Sequence, residues 1–438
     1  MLSRSVEKTI QVWAKEGNKP LLITGARQVG KTFMVREGLK GFFKKTHVFN
    51  FEKTKSLNRI FDGDLNPLML IKSLSLAINE TIDIQRDIIF FDEIQACERA
   101  LTSLKYFQED LPDAKVIATG SYIGLMQGFP VGKINSIEMY PLTFAEFLHA
   151  VVGEGPIMES YRAMDLSAAL FEKVWPILLE YFYVGGLPEA VSLWIAGREN
   201  KPVQAAKDVR AFHRQILQNY SLDFGKYSTR NAPQILGVFQ NIAHQLSQHV
   251  DASVGKYKFK DVLPNKKSYA QLQGPISWLE QMRMLHRAFI VEDARLPLLA
   301  KESIFRLFMF DMGILSTQLG LSLVQHMQSN FDYKGYVAEN FVALELIASG
   351  CQKLYGWEST GTAEIEFVLP QNGTVALPVE VKSGRRTRSK SLEAYRQKYK
   401  PEWCIKLIGS AGGRYEGGIS LPLYYASFVR SLKEFKEP

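Results

Sequence analysis

Gly25-Ala26-Arg27-Gln28-Val29-Gly30-Lys31-Thr32 is the stretch that decides the fold of this chain. It completes the pattern G-x-x-x-x-G-K-[ST] between the short apolar run Pro20-Leu21-Leu22-Ile23-Thr24 and the helix-like opening Phe33-Met34-Val35-Arg36-Glu37. Strand, glycine loop and helix are the context in which this pattern binds phosphate. Gly25 and Gly30 let backbone N–H groups close around phosphate oxygens, with Ala26, Arg27, Gln28 and Val29 supplying the rest of the cradle. Lys31 is expected to reach the β- and γ-phosphates, and the Thr32 hydroxyl to ligate Mg²⁺. The alternative is an ordinary glycine turn, which needs neither flanking element.

A second element tests the first. Asp87-Ile88-Ile89-Phe90-Phe91-Asp92-Glu93 is an apolar strand ending in two acids. Asp92 is expected to hold Mg²⁺, directly or through water, and Glu93 to orient and polarise an attacking water, which makes Glu93 and Lys31 the catalytic pair. Lys115-Val116-Ile117-Ala118-Thr119-Gly120-Ser121 is a third strand whose hydroxyl end places Ser121 where it could sense the γ-phosphate. The same Thr-Gly-Ser also makes an ordinary strand exit. No Asn-Lys-x-Asp base-reading motif occurs, Asn200-Lys201-Pro202-Val203 being the nearest, so ATP is expected rather than a guanine nucleotide.

Composition bounds the rest. A chain of 438 residues, 46% hydrophobic and 22% charged, can bury several cores, and two to four domains are expected. No run approaches the roughly 18 apolar residues of a membrane span, and Met1-Leu2-Ser3-Arg4-Ser5-Val6-Glu7-Lys8 lacks the apolar stretch of a signal peptide, so a cytoplasmic location without membrane contact is expected. Cys97, Cys351 and Cys404 are too few and too scattered for a disulfide framework or a zinc site. His244 and His249, the nearest histidine pair, stand at i and i+5 rather than i and i+4. A net charge of +8 and a pI near 9.1 permit contact with nucleic acid without requiring it. The densest basic stretch runs from Lys382 through Arg385, Arg386 and Arg388 to Lys390, and it reads equally as a phosphate-backbone contact or a solvated surface.

Along the chain, residues 1–155 alternate apolar strands and amphipathic helices, as a doubly wound phosphate-loop domain does. Helical periodicity over Leu166 to Phe182 and Val203 to Tyr220, broken at Gly185-Gly186-Leu187-Pro188-Glu189, makes 156–250 a helical lid or connector. Short helices expected at Lys256 to Val262, Tyr269 to Gln273 and Ile276 to Leu285, then an extended Ala288 to Glu292, give 251–300 the order of a winged helix. Residues 301–438 form a last unit of helix, three strands, helix and strand. On its strands Glu364 and Glu366 are expected to share one face, and Glu380 and Lys382 another, because side chains alternate with period two. Acids and a lysine converging there suggest a metal-dependent phosphodiester site; the bland alternative is the solvent face of a sheet edge.

Assembled, these residues resemble the bacterial and archaeal AAA+ superfamily ATPases that carry the carboxy-terminal domain of unknown function DUF4143. The resemblance covers nearly the whole length. It rests on Thr24 to Thr32, Phe91-Asp92-Glu93-Ile94-Gln95, Thr119-Gly120-Ser121, Tyr140-Pro141-Leu142-Thr143-Phe144-Ala145-Glu146-Phe147, the Gly185 to Glu189 turn, Phe310-Asp311-Met312-Gly313-Ile314-Leu315, Glu339-Asn340-Phe341-Val342 and Glu380-Val381-Lys382-Ser383-Gly384. It implies an α/β chain: a P-loop AAA+ domain with helical lid, a winged-helix-like middle and a carboxy-terminal restriction-endonuclease-like domain of the PD-(D/E)XK type. Glu339, Glu366, Glu380 and Lys382 would be its nuclease-like site. Two positions depart from the family. Gly132-Lys133 stands where Gly-Arg is usual, and no arginine lies between Arg99 and Arg162, so either hydrolysis is slow or an arginine finger comes from elsewhere. Glu364-Ile365-Glu366-Phe367 stands where Glu-Val-Asp-Phe is usual, which lengthens one acid by a methylene.

The expectation is therefore an ATP- and Mg²⁺-dependent AAA+ ATPase, a homo-oligomer, coupling nucleotide state to action on DNA or RNA. An ATP-gated switch that binds a protein partner and an ATP-regulated metal-dependent nuclease are the alternatives.

Overall fold

A computed structural model of the chain describes residues 2–121, 129–227, 231–247, 255–260, 262–328, 334–371, 373–382 and 390–432. Its contacts divide the chain into two units, residues 1–141 with 281–283, and residues 142–280 with 284–438.

The first unit runs α1 (Ser5–Glu16), β1 (Leu21–Thr24), α2 (Lys31–Gly38), β2 (Lys45–Asn50), α3 (Pro67–Ile78), β3 (Asp87–Asp92), α4 (Glu98–Asp110), β4 (Lys115–Gly120) and β5 (Asn135–Glu138). Its sheet has the order β2-β3-β4-β1-β5, with every neighbouring pair parallel. A parallel sheet covered by helices must be apolar on both faces, and β3 is buried at all six residues. Phe91 sits at the centre of an aromatic cluster, its ring edge-on to Phe49, Phe51, Phe61 and Phe107 at 5.6–6.2 Å between centroids. That packing fixes the end of β3, where Asp92 and Glu93 stand.

The second unit begins with helices α5 (Phe144–Val152), α6 (Pro156–Arg162), α7 (Ala168–Val184), α8 (Pro188–Gly197), α9 (Pro202–Tyr227), α10 (Ala232–Ser247) and α11 (Tyr269–Gln281). It continues through β6 (Leu285–Val291), β7 (Phe305–Met309), α12 (Met312–Gln318), α13 (Leu323–Met327), α14 (Lys334–Ala348), β8 (Leu354–Glu358), β9 (Glu364–Ile365), β10 (Phe367–Leu369), β11 (Leu377–Lys382), α15 (Lys390–Tyr399), β12 (Cys404–Ile408), β13 (Gly413–Tyr415) and β14 (Gly418–Pro422). Two mixed sheets result, β7-β6-β8-β9 and β10-β11-β12-β14-β13.

The winged-helix order expected for 251–300 is corrected. Residues 255–259 carry no regular structure, and one helix, α11, runs through Gly274-Pro275. Leu272, Pro275, Ile276 and Leu279 form its buried stripe at i, i+3, i+4 and i+7, and this packing overrides the break that proline would otherwise impose. The following strand, β6, is no wing. It is a central strand, antiparallel to β7 and parallel to β8.

Four of the stretches that carry the family resemblance meet in one buried structural knot. Gly185 ends α7 at φ 71°, where a Cβ would stand 2.4 Å from Asp311 Oδ1. Asp311 accepts from the Gly186 N–H at 2.7 Å and, as the N-cap of α12, from the Ile314 N–H at 2.9 Å. Burial lifts its carboxyl to about 6, against the pull of those backbone donors. The Leu142 N–H donates to Gly186 O at 2.6 Å, and the Phe144 N–H to Glu345 Oε1 on α14 at 2.9 Å. Asn340, on the same helix, accepts from Met309 N–H and donates to Met309 O, closing the end of β7.

Candidate active site

The loop between β1 and α2 is shaped by residues that few sequences tolerate. Gly25 has φ 149°, and a Cβ there would lie 2.1 Å from Met139 O, so only glycine lets the loop pass this close to the end of β5. Gln28 and Gly30 both have positive φ, at 66° and 92°, which turns successive N–H groups towards a common point at the amino end of α2. Arg27 lies 3.8 Å from Glu52.

Lys31 is buried, and its ammonium donates to Gly25 O at 2.9 Å, Ala26 O at 2.8 Å and Ser121 Oγ at 2.9 Å. Ser121, at the exit of β4, is thereby brought to the loop. Burial lowers the Lys31 pKa to about 8, with Glu93 opposing that shift. The sign of its consequence is definite: nucleotide phosphates favour the ammonium, so deprotonation above pH 8 weakens ATP binding. The KM for ATP is expected to rise by up to about tenfold per pH unit above 8 while staying flat below 7.5. Steady-state rates between pH 6.5 and 9.5 check this, and a flat KM across the range would show that Lys31 does not titrate there.

Asp92 is the hub of the site. Its Oδ1 accepts from Thr32 Oγ1 at 2.8 Å and from Thr119 Oγ1 at 2.6 Å, and its Oδ2 accepts from Asn50 Nδ2 at 2.9 Å. A hydroxyl and a carboxylate oxygen this close form the hard-oxygen pair that suits Mg²⁺, so Thr32 and Asp92 fit the metal role given to them. Glu93 follows in the left-handed region at φ 53°, a strained position for a non-glycine residue and one that clusters at functional sites. Its Oε2 accepts from Gln95 Nε2, while Gln95 Oε1 accepts from the Ser121 N–H at 3.3 Å. Gln95 thus ties the Glu93 carboxylate to the neighbouring strand end.

Reading by motif passed over two members of this site. Asn50 is paired in register with Asp92, and its only signal was an amide at the end of a strand. Arg4 left no signal at all, yet it is buried and donates to Val29 O at 3.2 Å and to Tyr140 O at 2.6 Å. Lys133, where the family has arginine, is engaged with Glu109 at 2.9 Å.

The nuclease-like residues are placed differently from the sequence expectation. The strand expected over 364–369 bends at Glu366, and its halves join different sheets, β9 with β8 and β10 with β11. Glu364 and Glu366 therefore do not share a face. Glu364 reaches Arg306 at 3.1 Å, a fully buried cation that also lies 3.5 Å from Glu358. Glu366 instead meets Lys382 at 3.4 Å, and its Oε2 accepts from the Val381 N–H at 3.0 Å. Glu380 and Lys382 do share a face, 3.1 Å apart. Burial disfavours the Lys382 ammonium, but Glu366 and Glu380 raise it above the ordinary lysine value. Glu339, Glu366 and Glu380 are all buried. Among the described residues no group of three or more His, Cys, Asp or Glu is arranged to hold a metal ion. The basic stretch between Lys382 and Lys390 lies outside the described residues.

A β2-β3-β4-β1-β5 parallel sheet with a glycine loop after β1, and an Asp-Glu pair after β3, is the arrangement of the P-loop fold of AAA type. The comparisons give the family terms. Residues 17–148 match the AAA domain, 176–325 the domain of unknown function DUF8612 and 334–412 the domain of unknown function DUF4143. The chain therefore carries an AAA domain at its amino end and a DUF4143 domain at its carboxy end. A Methanocaldococcus jannaschii protein, MJ1544, is 27% identical over 214 residues, which is 47% of this chain and 43% of that protein. This chain thus spans less than half of that relative. Among solved structures, C. elegans PCH-2 aligns over 47% of this chain and 65% of its own at 15% identity, with a TM-score of 0.28. A signal transduction ATPase with numerous domains and a tetratricopeptide repeat sensor, PH0952 from Pyrococcus horikoshii, aligns over 80% of this chain and 45% of its own at 11% identity, with a TM-score of 0.27. No helix among the described residues is long and apolar enough to cross a membrane.

Proposed function

We propose that the chain hydrolyses ATP with Mg²⁺ in its first unit and uses the nucleotide state to govern what its second unit binds, with DNA or RNA as the favoured partner. One observation carries the hydrolytic part: Thr32, Thr119 and Asn50 converge on Asp92, with Glu93 one residue further on. In this reading the Gly25 to Lys31 loop surrounds the β- and γ-phosphates with N–H groups, and Lys31 exchanges its carbonyl partners for phosphate oxygens. Thr32 and Asp92 would hold Mg²⁺, which would neutralise charge on the phosphates. Glu93 accepts a hydrogen bond from the attacking water and orients it in line with the γ-phosphorus. Ser121 and Thr119, at the end of β4, report whether that phosphate is present.

The nucleic-acid part rests on the basic balance of the chain, the five cations from Lys382 to Lys390 and the resemblance of its carboxy-terminal domain to nucleases. Cleavage is the weaker reading, because Lys382 ion-pairs two of the acids that a metal would need. We favour binding without cutting.

Hydrolysis by the full chain with Mg²⁺, measured alone and with double-stranded DNA, single-stranded DNA or RNA, tests both parts. The expected result is a basal rate lost in Lys31→Ala and raised severalfold by one polymer. Normal turnover in Lys31→Ala would sink the ATPase assignment. A rate indifferent to every polymer would move the second unit to the protein-partner reading, and Mg²⁺-dependent cleavage lost in Glu380→Ala would restore the nuclease.

A further inference from the structure

Arg4 stands just before α1 in extended backbone, with only 7% of its surface exposed. A buried guanidinium must find acceptors, and here the two ends of its fork find different elements. Nη1 donates to Val29 O at 3.2 Å, inside the phosphate loop, and Nη2 to Tyr140 O at 2.6 Å, just beyond β5. β5 is paired in parallel with β1, the strand that launches the loop, so the second contact anchors the first to the sheet.

The Val29 carbonyl matters because of the geometry of the peptide bond. In a trans peptide unit the C=O of one residue and the N–H of the next point in opposite directions. Holding Val29 O outward therefore aims the Gly30 N–H inward, at the point where phosphate oxygens are bound. Val29 is flanked by Gln28 and Gly30, both at positive φ, a sequence of conformations that can flip peptide planes at modest cost. A flipped Val29–Gly30 plane would turn a carbonyl oxygen towards the phosphates and lose a donor. Lys31 steadies Gly25 O and Ala26 O. The Val29 carbonyl is held from the opposite end of the loop by Arg4.

We propose that Arg4 is a positioning residue for nucleotide binding, which keeps the phosphate loop in its binding conformation before ATP arrives. The proposal rests on the ATPase reading above. It predicts an effect on affinity and not on chemistry, because Arg4 acts on the cradle and Glu93 on the attacking water.

The test is Arg4→Lys in the full chain, which retains the charge and loses the fork. The KM for ATP is expected to rise about tenfold, the order of one charge-assisted hydrogen bond, with kcat within about twofold of wild type. The rise in melting temperature on adding ATP and Mg²⁺ should shrink in parallel. A lowered melting temperature without nucleotide, together with an unchanged KM and an unchanged ATP-induced shift, would show Arg4 to be a structural stitch and overturn the proposal. So would a fall in kcat at constant KM. If the lysine variant does not fold, Arg4→Gln, which removes the charge and the fork together, is read by the same two measurements. A wild-type chain that takes up no ATP would remove the ATPase reading itself, a result distinct from wild-type uptake that Arg4→Lys leaves unchanged.

Discussion

Glu93→Gln is expected to abolish turnover while leaving ATP bound. The amide keeps the size of the side chain and its reach towards Gln95, but it cannot accept the water's proton or polarise it as an anion does. General-base contributions of this kind are worth about 10²–10⁴ in rate, so kcat should fall by that factor while the KM changes little. Lys31→Ala differs in kind, because it removes the cation that donates to Gly25 O, Ala26 O and Ser121 Oγ and should lose binding as well. Phosphate release paired with nucleotide titration separates the two. If Glu93→Gln retained wild-type kcat, the attacking water would have to be oriented by another group, and the strained backbone at Glu93 would lose its functional explanation.

The second large effect is on stability and belongs to the second unit. Asp311→Ala removes the acceptor of the Gly186 and Ile314 N–H groups, leaving two buried donors without the carboxylate that satisfies them. At about 1–3 kcal/mol for each buried unsatisfied group, a loss of about 2–6 kcal/mol is expected. Asp311→Asn should recover only part of this, since one amide oxygen replaces two acceptor oxygens. Chemical denaturation followed by tryptophan fluorescence measures the change. ATP binding by Asp311→Ala at a temperature below its transition should match wild type. A loss under about 0.5 kcal/mol would mean that the knot joining Gly186, Asp311 and Leu142 does not hold the unit together.

The phosphate loop and the acidic end of β3 were legible because their chemistry is local: a phosphate cradle needs its glycines and lysine at fixed spacing, and a buried parallel strand announces itself as an apolar run. The strand order was not written in any one segment. Nor was the role of Asn50, which depends on β2 lying in register beside β3. The Gly185-Gly186 break was visible as a turn, but its partner Asp311 lies 125 residues further along, and nothing local names it. The reading of Glu364 and Glu366 failed for a definite reason. Period-two alternation assumes an unbroken strand, and the bend at Glu366 hands Glu364 to the buried Arg306, whose charge demands a carboxylate. The strands β13 and β14 went unseen because their glycine- and serine-rich sequence reads as loop, although β14 pairs along the whole of β12. The winged-helix expectation failed on pairing: whether an extended segment is a wing or a central strand is decided by what lies beside it.

The same pairing bears on where this polypeptide can be divided. DUF4143 covers 334–412, yet β8 inside it needs β6 outside it, through Ala288↔Leu354 to Val291↔Trp357, and β12 inside it needs β14 beyond it, through Cys404↔Gly418 to Ile408↔Pro422. A fragment cut at the limits of that match would carry two raw strand edges, each a template for pairing with another copy of itself. Recombinant work on the carboxy-terminal half should therefore keep 142–432 in one piece. Evolutionary shuffling would meet the same rule, because the unit of inheritance that can move between proteins and still fold is larger than the stretch by which its family is recognised.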